Sequence, residues 1–350
     1  RFMVLTDATM KKYHLLAMAV FAMAAMFTSC DNDNEAVVTP TPEQPFVISA
    51  SLGNSNTRAT IEYGNQDISK GELFRWNTDD AFSVLVENGN DTELHKFTFT
   101  SFATPNEPSG TATFTCPDIV GLHAEKAIAI YPATDTKPED NTFTFTCATE
   151  REQIGTTLGN FGKDMPMYAY TDKLASEGKL SFEHLSALLR FSITNIGPSD
   201  CTVKSIKVEA NTSVFGTKGA IKSTSPGSKP TITYELNGSK STAITTDATL
   251  KKGETIDLYT TILPCMGLKG IGTNKQLTFT LSTLRNGQED TQSFQLDGGK
   301  INTGDGSTWE AGKRYRFKIN SGYKELTVGS PTIADWSNGT DLTGGEATAE

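Results

Sequence analysis

Apolar and polar residues alternate with a period of two in several short segments of this chain. In residues 96–100, 142–146 and 277–281, Phe or Leu occupies one face and Thr most of the other, and in 314–319 aromatic residues alternate with cations. This period is typical of a strand with one buried and one solvated face, as found in antiparallel sheets. Several such strands, separated by turn residues, predict an all-β chain of antiparallel β-sandwiches.

One segment, residues 182–191, fits two structures. Its large apolar residues fall on one face of a helix, whereas residues 189–194 fit a strand equally well. The stretch 170–178 just before it is polar, contains Gly and has the composition of a linker. We therefore predict a domain boundary there, between an N-terminal β-sandwich domain at 46–178 and a C-terminal β-sandwich domain at 179–350.

Composition supports the same fold class and argues against one kind of partner. Of the 350 residues, 50 are Thr, a β-branched residue that is favoured in strands and disfavoured in helices. The 41 acidic side chains outnumber the 31 basic ones, so the formal net charge is −10. A chain this acidic offers no cationic surface to a phosphate backbone, so we expect no nucleic-acid binding.

The first 30 residues have the pattern of an export signal. Met10 and two lysines open a basic region, and the apolar run 15–27 would reach only about 20 Å as a helix, short of the roughly 30 Å bilayer core. The run ends at Thr28-Ser29-Cys30, which resembles a lipobox, so Cys30 is predicted to become a lipidated first residue. Residues 1–29 are then the signal peptide, with 1–9 as an upstream extension; an ordinary secretory signal is the alternative.

Residues 30–45 have the composition of an acidic, lipidated tether. Five polar residues, four of them Asp or Asn, follow Cys30, and a Pro-punctuated stretch comes next, so the segment has little to bury. Acyl chains such as palmitate contribute about 0.8 kcal/mol per buried CH₂ and would hold Cys30 on a membrane. The acidic cluster is similar to the surface-export signal of Bacteroidetes lipoproteins, although a plain solvated linker would have the same composition.

Four cysteines follow the lipidation site, two in each predicted domain. They are Cys116, Cys147, Cys201 and Cys265. In an oxidising compartment each domain could hold one disulfide, but the sequence allows three connectivities and free buried thiols as well. The spacing of these cysteines and of the few histidines does not match a zinc site.

The sequence contains no constellation that indicates an enzyme, a metal site or a cofactor. His184 lies in an apolar stretch and is predicted to be a packed side chain. The loop at 297–306 has oxygen donors but fails the calcium-loop spacing, so a turn is favoured. Trp76, Trp309 and Trp336 could stack on sugars, but core or interface positions are favoured.

A series of motifs resembles one protein family. In chain order these are the lipobox at Cys30, Thr57-Arg58, residues 76–84 (WNTDDAFSV), 182–191 (FEHLSALLRF), 311–315 (AGKRY) and 333–336 (IADW). Together they resemble the fimbrillins, subunits of the type V pili of Bacteroidetes. Asp79 stands where that family usually has Gly.

The resemblance implies two tandem transthyretin-like β-sandwich domains and a structural, non-enzymatic role in a surface fimbrium that mediates cell adhesion. It also implies export as an outer-membrane lipoprotein through Cys30, then cleavage after Arg58 and before Ala59 by an arginine-specific surface protease. Cleavage would remove the strand-like segment 46–52 and open a groove that a strand of another fimbrial subunit fills. The plausible donor strand is the tail, 326–350. Whether the subunit belongs to the stalk, tip or anchor stays open.

Two other functions share part of this pattern. A surface glycan-binding lipoprotein of β-sandwich domains would have the same lipobox, tether and Thr-rich strands. A surface hydrolase is a weaker alternative, since it needs a carboxylate pair that the motifs do not identify. Arg58 itself could be an ordinary exposed loop residue.

Overall fold

The computed structural model describes residues 45–52, 60–61, 74–88, 91–104, 107–154, 165–224, 228–265, 276–297, 309–322 and 326–335. All of them belong to one compact unit. The described residues form strands almost throughout, together with one helix of a single turn. Among them, no helix has the length and apolar character needed to cross a bilayer.

The elements are numbered in chain order. The first strands are β1 (Pro45–Leu52), β2 (Thr60–Ile61), β3 (Phe74–Arg75), β4 (Ala81–Asn88), β5 (Asp91–Thr104), β6 (Glu107–Val120), β7 (Ala127–Tyr131), β8 (Thr142–Thr146), β9 (Glu150–Glu152) and β10 (Met167–Thr171). The middle elements are α1 (Leu174–Glu177), β11 (Lys179–His184), β12 (Ala187–Asn195), β13 (Cys201–Ala210), β14 (Lys218–Lys222), β15 (Thr231–Tyr234) and β16 (Ser241–Thr245). The last strands are β17 (Thr249–Leu250), β18 (Thr255–Ile262), β19 (Gln276–Arg285), β20 (Gln288–Asp297), β21 (Lys313–Ser321), β22 (Leu326–Val328) and β23 (Thr332–Asp335).

Seven strands form a sheet that closes on itself, in the order β1-β11-β10-β7-β4-β5-β6. The apolar face of each strand points inward, which gives a core rich in aromatic rings. At its centre the Trp76 indole lies edge-on to Phe114 and Phe182, with ring centroids 5.0 and 5.6 Å apart. Edge-on rings are a favourable geometry for aromatic pairs, so this cluster fixes how the strands close around it.

A second core lies between a five-stranded and a six-stranded sheet. One has the order β18-β12-β21-β22, with β23 also paired to β21, and the other has the order β20-β19-β13-β16-β9, with β17 paired to β13. Phe191, Phe279 and Phe317 meet between the sheets, with the Phe317 ring 5.6 Å from Phe191 and 5.1 Å from Phe279. This is a β-sandwich whose inner faces supply the core residues.

A three-stranded sheet, β15-β14-β8, packs against the outside of the closed sheet. Phe143 and Phe145 of β8 are buried together with Leu85, Ile128 and Ile130 of β4 and β7. The closed sheet is therefore covered on part of its outer wall as well as filled inside. This explains why β7, with the sequence AIAIY, is buried at every position and does not alternate.

The predicted all-β fold is confirmed, and most strand pairs are antiparallel. Three of the described pairs are parallel: β1 with β11, β12 with β21, and β9 with β16. In each case the two strands are far apart in the sequence, so a tight hairpin does not dictate their direction. The tandem transthyretin-like arrangement stays a prediction.

The ambiguous segment 182–191 forms the end of β11 and the start of β12. Eight of the nine residues of β12 are buried, because its two faces both pack against other parts of the chain. A strand buried on both faces has no polar alternation, and its apolar residues can mimic a helical spacing. The short helix α1 lies within the predicted linker 170–178 and ends at Gly178, whose φ of 60° is left-handed.

Strand pairing crosses the predicted boundary at 178 in both directions. β11 follows the boundary in sequence but pairs with β1 and β10 of the closed sheet. β8 and β9 precede it but pair with β14 and β16. The domain limits 46–178 and 179–350 stay predictions, and the two packed regions exchange strands across them.

Candidate functional site

β1 fills a slot in the closed sheet between β6 and β11. It pairs antiparallel with β6, from Phe46 opposite Cys116 to Ser51 opposite Thr111. Along its other edge it pairs parallel with β11, where Ser49 lies opposite Lys179. Both backbone edges of β1 are therefore occupied, although the strand lies at the start of the described chain.

The side chains of β1 alternate between the core and the surface. Ile48, Ala50 and Leu52 are 0, 0 and 2% exposed, whereas Val47 is 49% exposed. Full burial of an Ile or Leu side chain contributes roughly 1.5–3 kcal/mol. Two of the three inward side chains are large, so β1 holds its slot by packing as well as by backbone hydrogen bonds.

Two further contacts fix the register of β1. The Trp76 indole Nε1–H donates to the Ala50 carbonyl oxygen at 3.2 Å, which satisfies a buried donor in the middle of the core. The Ser49 N–H donates to the Gly178 carbonyl oxygen at 2.8 Å. A Cβ on Gly178 would lie 3.2 Å from the Val47 carbonyl oxygen, and the left-handed φ also favours glycine there.

The slot of β1 has the chemistry of a strand acceptor. Without β1, the facing backbone groups of Ala112–Cys116 and of residues 179–182 would lose their partners, and the inward faces of Phe114 and Phe182 would meet water. Unpaired edges and exposed apolar surface are both costly, and another strand with an apolar alternation relieves both. A strand that enters this slot would therefore need small or branched apolar residues at alternate positions, as β1 has.

The predicted processing residues lie beside this strand in sequence. Arg58 and Ala59, like Cys30, are outside the described residues. The described chain stops at Leu52 and resumes at Thr60. A break between Arg58 and Ala59 would thus remove the covalent link between β1 and the other strands of the closed sheet. The noncovalent contacts of β1 would stay in place.

Part of the predicted donor tail is already paired within the chain. β22 pairs with β21 through Ile319 opposite Val328, and β23 pairs with β21 from Arg316 opposite Thr332 to Lys313 opposite Asp335. The rest of the tail, 336–350, lies outside the described residues. The tail's first ten residues can act as a donor only by leaving β21.

A sequence model of the fimbrillin-like family matches residues 57–336. The chain belongs to the fimbrillin-like family. This confirms the resemblance found in the motifs, and family membership supports a role as a structural subunit of a surface fimbrium. Comparison with curated proteins gives no match.

Solved structures are similar to this chain at low sequence identity. A proposed cell adhesion protein from Bacteroides uniformis is 17% identical, with a TM-score of 0.51, over 85% of this chain and 99% of that one. A fimbrial protein from Bacteroides vulgatus is 10% identical, with a TM-score of 0.40, over 83% and 99%. The tip fimbrial protein Mfa3 from Porphyromonas gingivalis, with a C-terminal truncation, is 11% identical, with a TM-score of 0.35, over 83% and 100%. The first of these resembles this fimbrillin-like chain well enough to show a shared fold.

The two tryptophans that the structure describes, Trp76 and Trp309, are not exposed for stacking on a sugar. Trp76 and Trp309 are 0 and 1% exposed, and the Trp309 indole N–H donates to the Val214 carbonyl oxygen at 2.8 Å. The prediction of core positions is confirmed for these two. Trp336 lies outside the described residues. The structure thus gives no support, in the part that it describes, to stacking of a glycan on Trp76 or Trp309.

His184 and the four described cysteines are buried. His184 is 7% exposed, as predicted for a packed side chain, and burial lowers the pKa of its ring well below 6.5. The four described cysteines are buried and none of them takes part in a disulfide, and burial raises the pKa values of Cys116 and Cys201. Within the described ranges, no group of three or more His, Cys, Asp and Glu side chains could hold a metal ion. Of the loop 297–306, only Asp297 is described.

The strand character of β1 was predicted from the sequence, whereas the two strands that flank it, β6 and β11, were not. Residues 111–115 (TATFT) alternate with a period of two, so β6 carried a usable signal. β11 also alternates, in KLSFEH, but its parallel pairing with a strand about 130 residues earlier has no local signature. Long-range parallel pairs of this kind leave only their burial pattern in the sequence.

Proposed function

We propose that this fimbrillin-like chain is a fimbrial subunit that is activated by loss of β1 and polymerises by donor-strand exchange. The observation that carries the proposal is the position of β1, which pairs on both edges and buries Ile48, Ala50 and Leu52. Loss of this strand converts a closed sheet into an acceptor for a strand of another subunit. Donor and acceptor are different surfaces, so the contact is heterologous and extends into a fibre.

The route to that state begins at the membrane. We propose that the chain is exported as a lipoprotein, acylated at Cys30 and held at the outer membrane, with residues 30–45 as its tether. An arginine-specific surface protease then cuts after Arg58 and before Ala59, which releases the lipid and the covalent link to β1 together. Arg58 belongs to a connection of only seven residues between β1 and β2, and its neighbours in residues 53–57 are Gly, Asn, Ser, Asn and Thr, which suit a surface loop.

The partners are other fimbrial subunits, either copies of this chain or different ones, and the assembled fimbrium mediates cell adhesion. The tail 326–350 is the proposed donor. Leu326, Val328 and Ile333 are the large apolar residues of its first ten positions. Leu326 and Val328 are separated by two and can enter one face of a slot, as Ile48 and Ala50 do in β1.

The cleavage step has a direct test. Incubation of the folded chain with an arginine-specific protease should give one new amino terminus at Ala59, and the variants Arg58→Ala and Arg58→Lys should stay intact. The Lys variant is the matched control, because it keeps the positive charge in the loop but removes the guanidinium that such a protease recognises. Scattered cleavage in the wild type, or cleavage of the Lys variant at the same bond, contradicts the proposal.

A further inference from the structure

The Trp76 side chain lies against the middle of β1. Its indole Nε1–H donates to the Ala50 carbonyl oxygen at 3.2 Å, and its ring centroid lies 5.0 Å from that of Phe114 and 5.6 Å from that of Phe182. These two phenylalanines lie opposite the first and the last of the three fully buried residues of β1. The indole is therefore at the level of Ala50, which is the middle one of the three.

The paired residues at this level of the slot are small. Ala50 of β1 lies directly opposite Ala112 of β6, and the two are 0 and 1% exposed. The other inward positions of β1 have larger side chains, namely Phe46, Ile48 and Leu52. A protein interior is close-packed, so extra methyl groups in a filled core force the neighbouring side chains to move. A larger side chain in place of Ala50 would therefore have to displace the indole.

The indole is held in place by the turn that follows it. The Asn77 N–H donates to one oxygen of the Asp80 carboxylate at 2.7 Å, and the Tyr131 hydroxyl donates to the other at 2.8 Å. The Tyr131 ring lies edge-on to the indole of Trp76, with centroids 5.5 Å apart. Trp76 is fully buried. An indole that is enclosed and fixed through its neighbours limits the size of the side chain that fits against it.

We propose that Trp76 is a specificity-determining residue of the slot, which accepts only a strand with a small residue, Ala, Gly or Ser, at the position of Ala50. This inference rests on the proposed function. The indole N–H would donate to the carbonyl oxygen of that residue and so fix the register of the incoming strand. A strand shifted by two residues keeps its apolar face inward but brings a different side chain to the indole, so size at this one position distinguishes the registers.

This requirement selects one alignment of the proposed donor tail. Of the alignments that place both Leu326 and Val328 in the slot, one puts a small residue at the position of Ala50, and that residue is Ser330. Val328 and Leu326 then take the two inward positions before it. A shift of two residues would put Val328 against the indole, which the proposal excludes.

The test uses the full chain cut at Arg58 and fluorescent peptides with the sequence of β1, PFVISASL. The peptide variants are Ala50→Ser, Ala50→Val and Ser49→Val. The last is the matched control, because it places the same side chain on the outer face of the strand. Anisotropy gives the concentration of each peptide at half-maximal uptake. A second cut chain carries Trp76→Phe, which has a smaller ring and no N–H.

On the wild-type chain, Ala50→Val should raise the half-maximal concentration about tenfold, and Ala50→Ser and Ser49→Val by less than about threefold. On Trp76→Phe the effect of Ala50→Val should fall to about threefold or less. Equal uptake of the unmodified and Ala50→Val peptides would overturn the size limit. An unchanged effect on Trp76→Phe would overturn Trp76 as its cause, and a tenfold effect of Ala50→Ser would overturn the alignment at Ser330.

The intact chain tests the same contact without strand exchange. In an Arg58→Ala background, Ala50→Val should speed hydrogen exchange of the Trp76 indole N–H about tenfold, and Ser49→Val should not. The Trp309 indole, which donates to Val214 in the other core, is the internal control for general loss of stability. Equal rates in the two variants would overturn the inference, even where Trp76→Phe does not fold. Absence of uptake of the unmodified peptide by a fully cut chain would instead refute strand exchange, and the exchange rates would still decide the role of Trp76.

Discussion

At two places in this all-β chain, a single side chain forms hydrogen bonds with buried backbone groups of a strand. The Trp76 indole donates to the Ala50 carbonyl oxygen inside the closed sheet, and the Gln153 carboxamide donates to the Asp257 carbonyl oxygen and accepts from the Tyr259 N–H of β18. The sequence predicted the burial of Trp76, since an isolated Trp beside a strand is commonly in the core. It could not predict the role of Gln153, because its partners lie more than 100 residues later and a polar residue in a polar segment gives no local signal.

His184 gives a prediction at the same scale. Burial lowers its pKa well below 6.5, so the folded chain keeps the ring neutral where the unfolded chain binds a proton. The unfolded state binds more protons below about pH 6.5, so stability falls as the pH drops below that value, by about 1.4 kcal/mol per pH unit. Above it, His184 contributes no pH dependence.

The measurement compares the wild type with His184→Gln by urea unfolding at pH 7.5 and 5.5. Between these pH values the wild type should lose about 1.4 kcal/mol more than the variant, because glutamine does not titrate. Acidic groups contribute equally to both proteins and cancel in the comparison. Equal losses in the two proteins would show that His184 is protonated in the folded state.

Strands with one solvent-exposed face could be predicted from the sequence, and strands buried on both faces could not. β8 and β19 alternate Phe or Leu with Thr and form strands as predicted. β12 lies between two packed layers, so its apolar residues lose the period of two and fitted a helix as well. β1 alternates from Ile48 to Leu52, so its strand character could be predicted from the sequence, whereas its link to Arg58 came only from the family resemblance.

β1 provides the prediction at the scale of the element. Ile48 points into the core and Val47, its neighbour, points outward. Ile48→Ala should therefore lower the free energy of unfolding of the uncut chain by about 3 kcal/mol, since it leaves a cavity beside Trp76 and Phe114. Val47→Ala, the matched change on the outer face, should cost less than about 0.5 kcal/mol.

Urea unfolding followed by tryptophan fluorescence measures both variants. The difference between the two losses in free energy of unfolding is the informative quantity. A β1 strand that only lay on the surface would give two small losses. Similar small losses for Ile48→Ala and Val47→Ala would mean that β1 does not occupy its slot in solution.

The molecule as a whole is more interleaved than its sequence suggested. β8 and β9 leave the region of the closed sheet to join β14 and β16, and β11 returns to the closed sheet from beyond the predicted boundary. The composition and the alternation predicted the all-β class, because each strand carries its own signal. The crossing of strands between the two packed regions depends on pairs far apart in the sequence, and such pairs leave no local sequence signature.

The pairing partners of β1 matter for the proposed function. β1 pairs with β6 and β11 of the closed sheet, so its release would remove no strand from the sandwich of the later strands. The subunit can therefore change one slot and remain folded elsewhere.

The central claim is that the slot of β1 takes a strand from outside the chain once the link at Arg58 is cut. A fluorescent peptide with the sequence of β1, PFVISASL, tests it by fluorescence anisotropy. We expect saturable uptake by the cut chain, in which the peptide exchanges with the detached β1, no uptake by intact Arg58→Ala, and no uptake of a peptide carrying Ile48→Asp. Equal uptake by cut and intact chains, or no uptake by a chain fully cut at Arg58, would contradict it.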